Sequence, residues 1–333
     1  MDRIAVTGGW GPVGLAFRAA WPDAAGLVLL PPEPPDEELV GLLRGADAVV
    51  DLAWAELPAP ASAPGSADAT VALRRLLSAM DRAGVGAFVH LSSALTYGAW
   101  ADNPIPLTEE APLVPNPGAT EATAHAAAER LVAEWADEHP GVPVAVLRPA
   151  TTVATRPRGW LTDALTVPGR LRSNRLDPPR QFVHVDDVAA AVAVAVDRRL
   201  DGVYNVAADG SLTGDVFRAL AARWSVAVPD RVARAESWLA WRLHVSPVPP
   251  RLRPWLEQPW VVANDRLRAA GWAPRFTNEE ALVAGRPAGR WRELNPTRRQ
   301  QVALAGATGG LALLVAAVAV GVTAIRRRRS PLH

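Results

Sequence analysis

The sequence predicts an α/β fold: a doubly wound parallel sheet with a smaller C-terminal region and one C-terminal transmembrane helix. Three observations carry this. Short apolar runs alternate with helical patterns from Met1 to Pro149. A glycine-rich turn, TGGWGPVG at residues 7–14, directly follows the first of these runs. Near the end lies Val302–Ile325, a stretch of 24 residues without charge or proline.

The elements follow in order. Met1–Val6 reads as a strand, and Val13 to about Ala20 as the helix after the turn. In that turn Gly8 allows the sharp bend, Gly11 a close backbone approach to a pyrophosphate, and Gly14 helix packing on the strand. The helix start then offers free N–H groups to phosphate. Gly26–Leu30 is a short strand, Asp36–Arg44 a helix with an acidic first turn, and Ala48–Ala53 a buried strand. Ala67–Ala83 is a helix, and Ala87–Ser92 a strand ending in Ser92-Ser93. Thr120–Glu138 is a long helix, and Val142–Leu147 a strand before Arg148-Pro149. Strands alternating with helices imply right-handed crossovers and a parallel, Rossmann-like sheet.

Composition excludes several chemistries. The chain has no cysteine, so disulfides, thiolate metal sites and cysteine nucleophiles are absent. All 35 basic residues are arginine, so no Schiff-base or P-loop lysine exists. Six histidines at scattered spacing give no metal site. Residues 1–280 carry 26 Arg against 33 acids, net −7; residues 281–333 carry 9 Arg against Glu293 alone, net +8. An acidic body argues against nucleic acid as a partner, and a basic end around an apolar run argues for a membrane.

The pieces now have a specific likeness. TGGWGPVG at 7–14, DLA at 51–53, VHLSSALTYG at 89–98, AERL at 128–131, LRP at 147–149, FVHVDDVAAAV at 182–192, VYNVA at 203–207 and NDRLRAAGWAP at 264–274 occur in that order. Together they resemble the extended short-chain dehydrogenase/reductase family, the NAD-dependent epimerase/dehydratase group. The resemblance implies a bound NAD or NADP and a small-molecule substrate, often a nucleotide sugar. It implies cofactor contacts from Thr7, Gly8, Gly11, Pro12, Val13 and Gly14, from Leu52 and Ala53, and from Ser92, Arg148 and Pro149. Ser93 falls at the family's catalytic Ser/Thr, and Asp186 and Asp187 at an acidic pair opening a helix, an N-cap role.

The departures matter more. The family's Tyr-x-x-x-Lys pair would fall at Glu121 and His125, and no lysine exists to rescue it. Four residues apart on a helix, these two share a face. A Glu–His pair with Ser93 nearby can move a proton; the same spacing also fits an ordinary surface pair. A second departure is a deletion. Leu27–Leu30 runs through Pro31–Pro35 directly into a helix, so one strand–helix piece is missing on the adenosine side. Glu33 is the local candidate for a ribose hydroxyl, and Trp10 is bulky for a phosphate turn and either covers or fills the site.

The body is expected over residues 1–297, with substrate-region segments at about 151–181 and 208–284. The first segment carries Arg156, Arg158, Arg170, Arg172, Arg175 and Arg180, which suit a diphosphate. Trp238, Trp241, Trp255 and Trp260 lie among prolines and fit either a membrane contact or a tryptophan-rich core. The helix over 302–325 and basic tail 326–333 are expected to anchor a cytoplasmic body to the membrane, since no signal-peptide pattern precedes Thr7. Gly306 and Gly310 in GxxxG spacing allow a homodimer. Arginines flank the run on both sides, so its orientation is undecided. Three functions follow. One is a nucleotide-binding sensor or scaffold with a degenerate dyad. The second is an active NAD(P)-dependent oxidoreductase or epimerase on a nucleotide sugar or membrane-associated lipid, with Glu121, His125 and Ser93 in replaced roles. The third is a membrane interaction module whose fold holds no cofactor.

Overall fold

The computed structural model describes residues 3–56, 66–155, 160–166, 171–174, 176–221, 225–243, 246 and 248–285. The chain divides into two compact units, Met1–Gly285 and Arg286–His333, and every described residue lies in the first. Among the described residues no helix is long and apolar enough to cross a membrane. The run Val302–Ile325 and the tail 326–333 lie outside the described residues, as does 286–297.

The first half alternates strand and helix: β1 (Ile4–Thr7), α1 (Pro12–Ala20), β2 (Leu27–Leu29), α2 (Asp36–Leu43), β3 (Ala48–Asp51), α3 (Ser66–Ala83), β4 (Phe88–Leu91), α4 (Thr120–Glu138) and β5 (Val144–Pro149). The second half adds β6 (Thr151–Val153), α5 (Trp160–Thr166), β7 (Leu171–Ser173), β8 (Phe182–His184), α6 (Val185–Asp197) and β9 (Gly202–Val206). It closes with α7 (Gly214–Ala221), β10 (Val226–Val228), α8 (Asp230–Arg242), α9 (Pro254–Glu257), α10 (Asp265–Ala269) and α11 (Asn278–Ala284).

Six strands form one wholly parallel sheet in the order β2-β1-β3-β4-β5-β9. β3 and β4 are buried at every residue, as strands covered on both faces must be. α1 packs on α6 on one face, and α2, α3 and α4 pack in turn on the other. Phe17, Val188 and Val192 fill the first layer, and Leu43, Met80, Val132 and Trp135 the second. β2 is an edge strand, and α2 carries the chain straight from it to β3 beside β1. This is the deletion expected from Pro31–Pro35. β5 starts and ends later than expected: Val142 is spent in a turn to the His139 carbonyl, while Arg148 and Pro149 pair with Asn205 and Val206 of β9.

The smaller C-terminal region holds two parallel pairs, β6 with β8 and β7 with β10. Val153, Phe182, Leu212, Phe217, Ala281 and Leu282 make its own core. Asp186 and Asp187 do not cap α6. The side chain of His184 accepts the Asp186 N–H instead. Asp187 is fully buried and accepts from the backbone N–H groups of Arg275 and Phe276.

Candidate functional site

The sheet order reverses between β1 and β3, so a crevice opens at their carboxyl ends. The glycine turn leaves β1 there. Gly8 has φ +62°, and a Cβ on it would lie 2.5 Å from the Ala53 nitrogen. A Cβ on Gly14 would lie 2.5 Å from the Gly8 carbonyl oxygen. Gly14 therefore packs on the turn itself, and any side chain at either position would force the turn off β3 or off α1. Pro12 opens α1, and Gly11 precedes it with no side-chain cap, so the first-turn N–H groups have no intrahelical acceptor.

Thr7 ties this turn to the neighbouring strand. Its hydroxyl donates to Asp51 Oδ1 at 2.5 Å, and the Ala53 N–H donates to Thr7 Oγ1 and Asp51 Oδ1, both at 3.3 Å. The other Asp51 oxygen lies 3.0 Å from His90 Nδ1. Asp51, His90 and Trp54 were not legible as site residues. The signal was a lone carboxylate inside the buried run AVVDLA.

Two cavities flank Trp54. The first, about 360 Å³, runs along Thr7, Gly8, Gly11, Val13, Gly14, Leu52 and Ala53 and out past Pro31, Pro34 and Leu73. Trp10 lines its mouth, 62% exposed beneath the Arg18 guanidinium, so it covers the cavity and does not fill it. Glu33 is exposed and does not line it; Arg75 does. The second cavity, about 240 Å³, is lined by Ser92, Ser93, Glu121, His125, Pro149 and Trp260 among others. Val13, Trp54 and Ala55 line both.

Glu121 and His125 are both buried, so they are not a surface pair. Burial pushes the Glu121 carboxyl up, but Arg251 outweighs this and holds it below the ordinary value. Arg251 grips both Glu121 oxygens, Nε at 3.0 Å from Oε2 and Nη2 at 2.5 Å from Oε1. His125 turns elsewhere. Its Nδ1 is buried with no hydrogen-bond partner among the described residues, and its ring packs 5.6 Å from Trp54. Burial, helped by nearby His90 and opposed by Asp51, lowers its pKa to about 3, so the imidazole is neutral. Glu121 and His125 thus share a cavity but are not a base with its orienter.

Ser93 Oγ accepts the Leu95 N–H, opening a short turn at Ala94–Tyr97. The Ser92 hydroxyl donates to Glu129 at 2.5 Å. Arg148 does not reach either cavity: it is buried, donates to both Glu129 oxygens and to Tyr97 Oη, and braces β5 against α4. The Tyr97 hydroxyl donates onward to Asn205, and burial raises its pKa to about 12 despite Arg148. Pro12 also lies outside both linings. Of the arginines expected to suit a diphosphate, Arg180 donates to the Leu256 carbonyl and lies over Phe217, and Arg172 lines neither cavity. Arg156, Arg158, Arg170 and Arg175 lie outside the described residues.

Comparison with known proteins agrees with this geometry. Among curated proteins, the uncharacterized protein y4nG of Sinorhizobium fredii is 26% identical over 214 residues, 60% of this chain and 52% of that protein. The chain thus spans about half the length of that relative. Among solved structures, dTDP-glucose 4,6-dehydratase from Bacillus anthracis in complex with NAD matches with a TM-score of 0.60 at 17% identity, over 86% of this chain and 95% of that one. The human epimerase family protein SDR39U1 with NADPH matches at 0.61 and 20%, over 85% and 98%. Thermus thermophilus UDP-glucose 4-epimerase with NAD matches at 0.58 and 22%, over 85% and 97%. At these identities the structures establish the fold. The model of the NAD dependent epimerase/dehydratase family matches residues 36–207, just over half the chain, and the chain belongs to that family.

Proposed function

We propose that this chain is a membrane-anchored, dinucleotide-binding member of the family that acts as a sensor or scaffold, without the family's proton-transfer pair. The glycine cradle carries the reading: Gly8 and Gly14 leave no room for a Cβ, and the adjoining cavity of about 360 Å³ follows the turn. Thr7, Gly8, Gly11 and Gly14 would hold the pyrophosphate, Leu52 and Ala53 would lie along the cofactor, and Pro149 would lie toward the nicotinamide end. Bound NAD or NADP would supply a hydride-transferring nicotinamide. The residues around it are poorly suited to moving the accompanying proton near neutral pH. Glu121 is committed to Arg251, and a histidine with a pKa of about 3 is a weak base. The apolar, arginine-flanked run Val302–Ile325 supports the anchor, with the body in the cytoplasm and GxxxG spacing suited to a homodimer.

One observation favours the second reading, an active oxidoreductase or epimerase on a nucleotide sugar or membrane-associated lipid. Ser93, Glu121 and His125 line one cavity. Calorimetry of the full-length chain in detergent with NAD, NADH, NADP and NADPH tests the shared premise. We expect binding of at least one form, lost in Gly14→Ala. No binding at millimolar concentration overturns both readings. Nicotinamide turnover with nucleotide sugars in the same preparation would favour the second over the first.

A further inference from the structure

Helix α8 packs on β7 and on the turn at Pro250–Leu252, yet only Ala233 among its residues is buried. The four tryptophans of this region divide sharply. Trp255 and Trp260 are core residues, with the Trp260 indole donating to the Trp255 carbonyl. Trp238 and Trp241 are exposed on α8. Val232, Leu239 and Leu243 are exposed too, and spacings of seven and four place them on one stripe. Arg231 and Arg242 are exposed on its flank, Arg242 lying over the Trp238 ring. Arg234 pairs with Asp230, and Glu236 is half-buried. Trp238 lies beside Arg231 and Arg242, while Trp241, nine residues from Val232, falls on the opposite side of the helix from the stripe. An apolar stripe bordered by arginine and one tryptophan is the pattern of a helix lying in a bilayer interface, where an indole sits at headgroup level and guanidinium groups reach anionic phosphate.

We propose that α8 docks flat into the interface of an anionic phospholipid bilayer. This rests on the anchor reading of Val302–Ile325. Gly285 and Val302 are 17 residues apart, a tether of at most about 60 Å when extended. Such a tether raises the local concentration of membrane at the folded body, so a weakly binding helix engages. The docked face and the C-terminal helix are two signals for one surface, the arrangement that stable peripheral attachment needs.

The absence of cysteine gives a clean test. Leu239→Cys in the full-length chain is labelled with nitrobenzoxadiazole and reconstituted into phosphatidylglycerol/phosphatidylcholine vesicles. Val71→Cys, at an exposed site on α3, is the control. We expect the label at 239 to shift to the blue and lose most of its emission to nitroxide-bearing lipid, while the label at 71 keeps its emission. If the chain floats with the vesicles and the label at 239 is not quenched, the docking is wrong and the anchor stands. A blue shift at 239 without lipid quenching also overturns the docking, because the stripe is then covered by a second copy. If the chain does not float with vesicles, anchor and docking both fail.

Discussion

A neutral histidine buried next to His90 and Trp54 has a thermodynamic consequence at the scale of one residue. The His125 pKa falls from 6.5 to about 3 on folding. Between those values the unfolded chain binds one proton more than the folded one. Stability therefore falls as pH drops from about 6.5 toward 3, by at most about 1.4 kcal/mol per pH unit from this residue. His125→Gln removes that proton from the balance. Urea unfolding of the variant between pH 6 and 4 should show a shallower loss of stability, by up to one proton's worth of slope; an unchanged slope would show that His125 is not held neutral. The position was legible as a family landmark, counted back from the AERL motif. Its burial was not, because the i,i+4 spacing to Glu121 fits an exposed face equally well. Trp54 packs against it, and His90 and Asp51 act on its charge, all from other segments, and no local pattern encodes that.

Helix α4 shows the same division one level up. Its span, Thr120–Glu138, is what the apolar periodicity predicts. Its start is not secured locally: Ala119 offers no side-chain cap. Glu121 stands in the first turn, favourable to the helix dipole, and its charge is matched by Arg251, 130 residues later in sequence. This pair fastens the start of α4 to the turn at Pro250–Leu252. Arg251→Met would leave a buried carboxylate without its cation and cost about 3 kcal/mol, while adding Glu121→Gln should recover much of the loss. The folded-state pKa of Glu121 is depressed, so the contribution of the pair is present above the ordinary carboxylate value and is lost as pH falls through the lower, folded one. Denaturation of the two single variants and the double variant at pH 7 measures the coupling; additive losses would show that the two side chains do not interact. A contact between residues 121 and 251 comes from the tertiary crossing of distant segments, so the sequence pattern that located α4 could not name its partner. The α6 cap failed for a related reason. The motif placed acids at the helix start, but folding spends Asp187 on the Arg275–Phe276 backbone and gives the cap to His184.

At the scale of the whole body, the parallel sheet with its helical crossovers and the missing adenosine-side unit follow from a pattern readable in the sequence: short apolar strands, helical patterns between them and a proline run; the strand order, with β2 at an edge, comes from the structure. The stitching of the smaller region to the sheet is not readable in the sequence either, because it consists of amides paired with distant backbone. Gln181 Nε2 donates to the carbonyls of Ala208, Gly210 and Val262, and Asn264 to that of Ala207. The Asn278 amide accepts from the Phe182 N–H at 2.8 Å and donates to the Asp209 carbonyl at 2.9 Å. These bonds cross from β8 and the end of β9 to the last segments of the body, within one compact unit, Met1–Gly285. They predict that the sheet and the C-terminal segments unfold together. Asn278 is 2% exposed, so Asn278→Ala strands both backbone groups out of reach of water. The loss should be about 2–4 kcal/mol, which at roughly 2–4 °C per kcal/mol lowers the unfolding midpoint by about 4–16 °C. Calorimetric scans of the parent and variant chains check both the size and the form of the change. A lowered midpoint with a single transition for the body fits one cooperative unit. A second, earlier transition in the variant would mean that the C-terminal segments are a separately folding piece, and that these buried amides join two units where the geometry shows one.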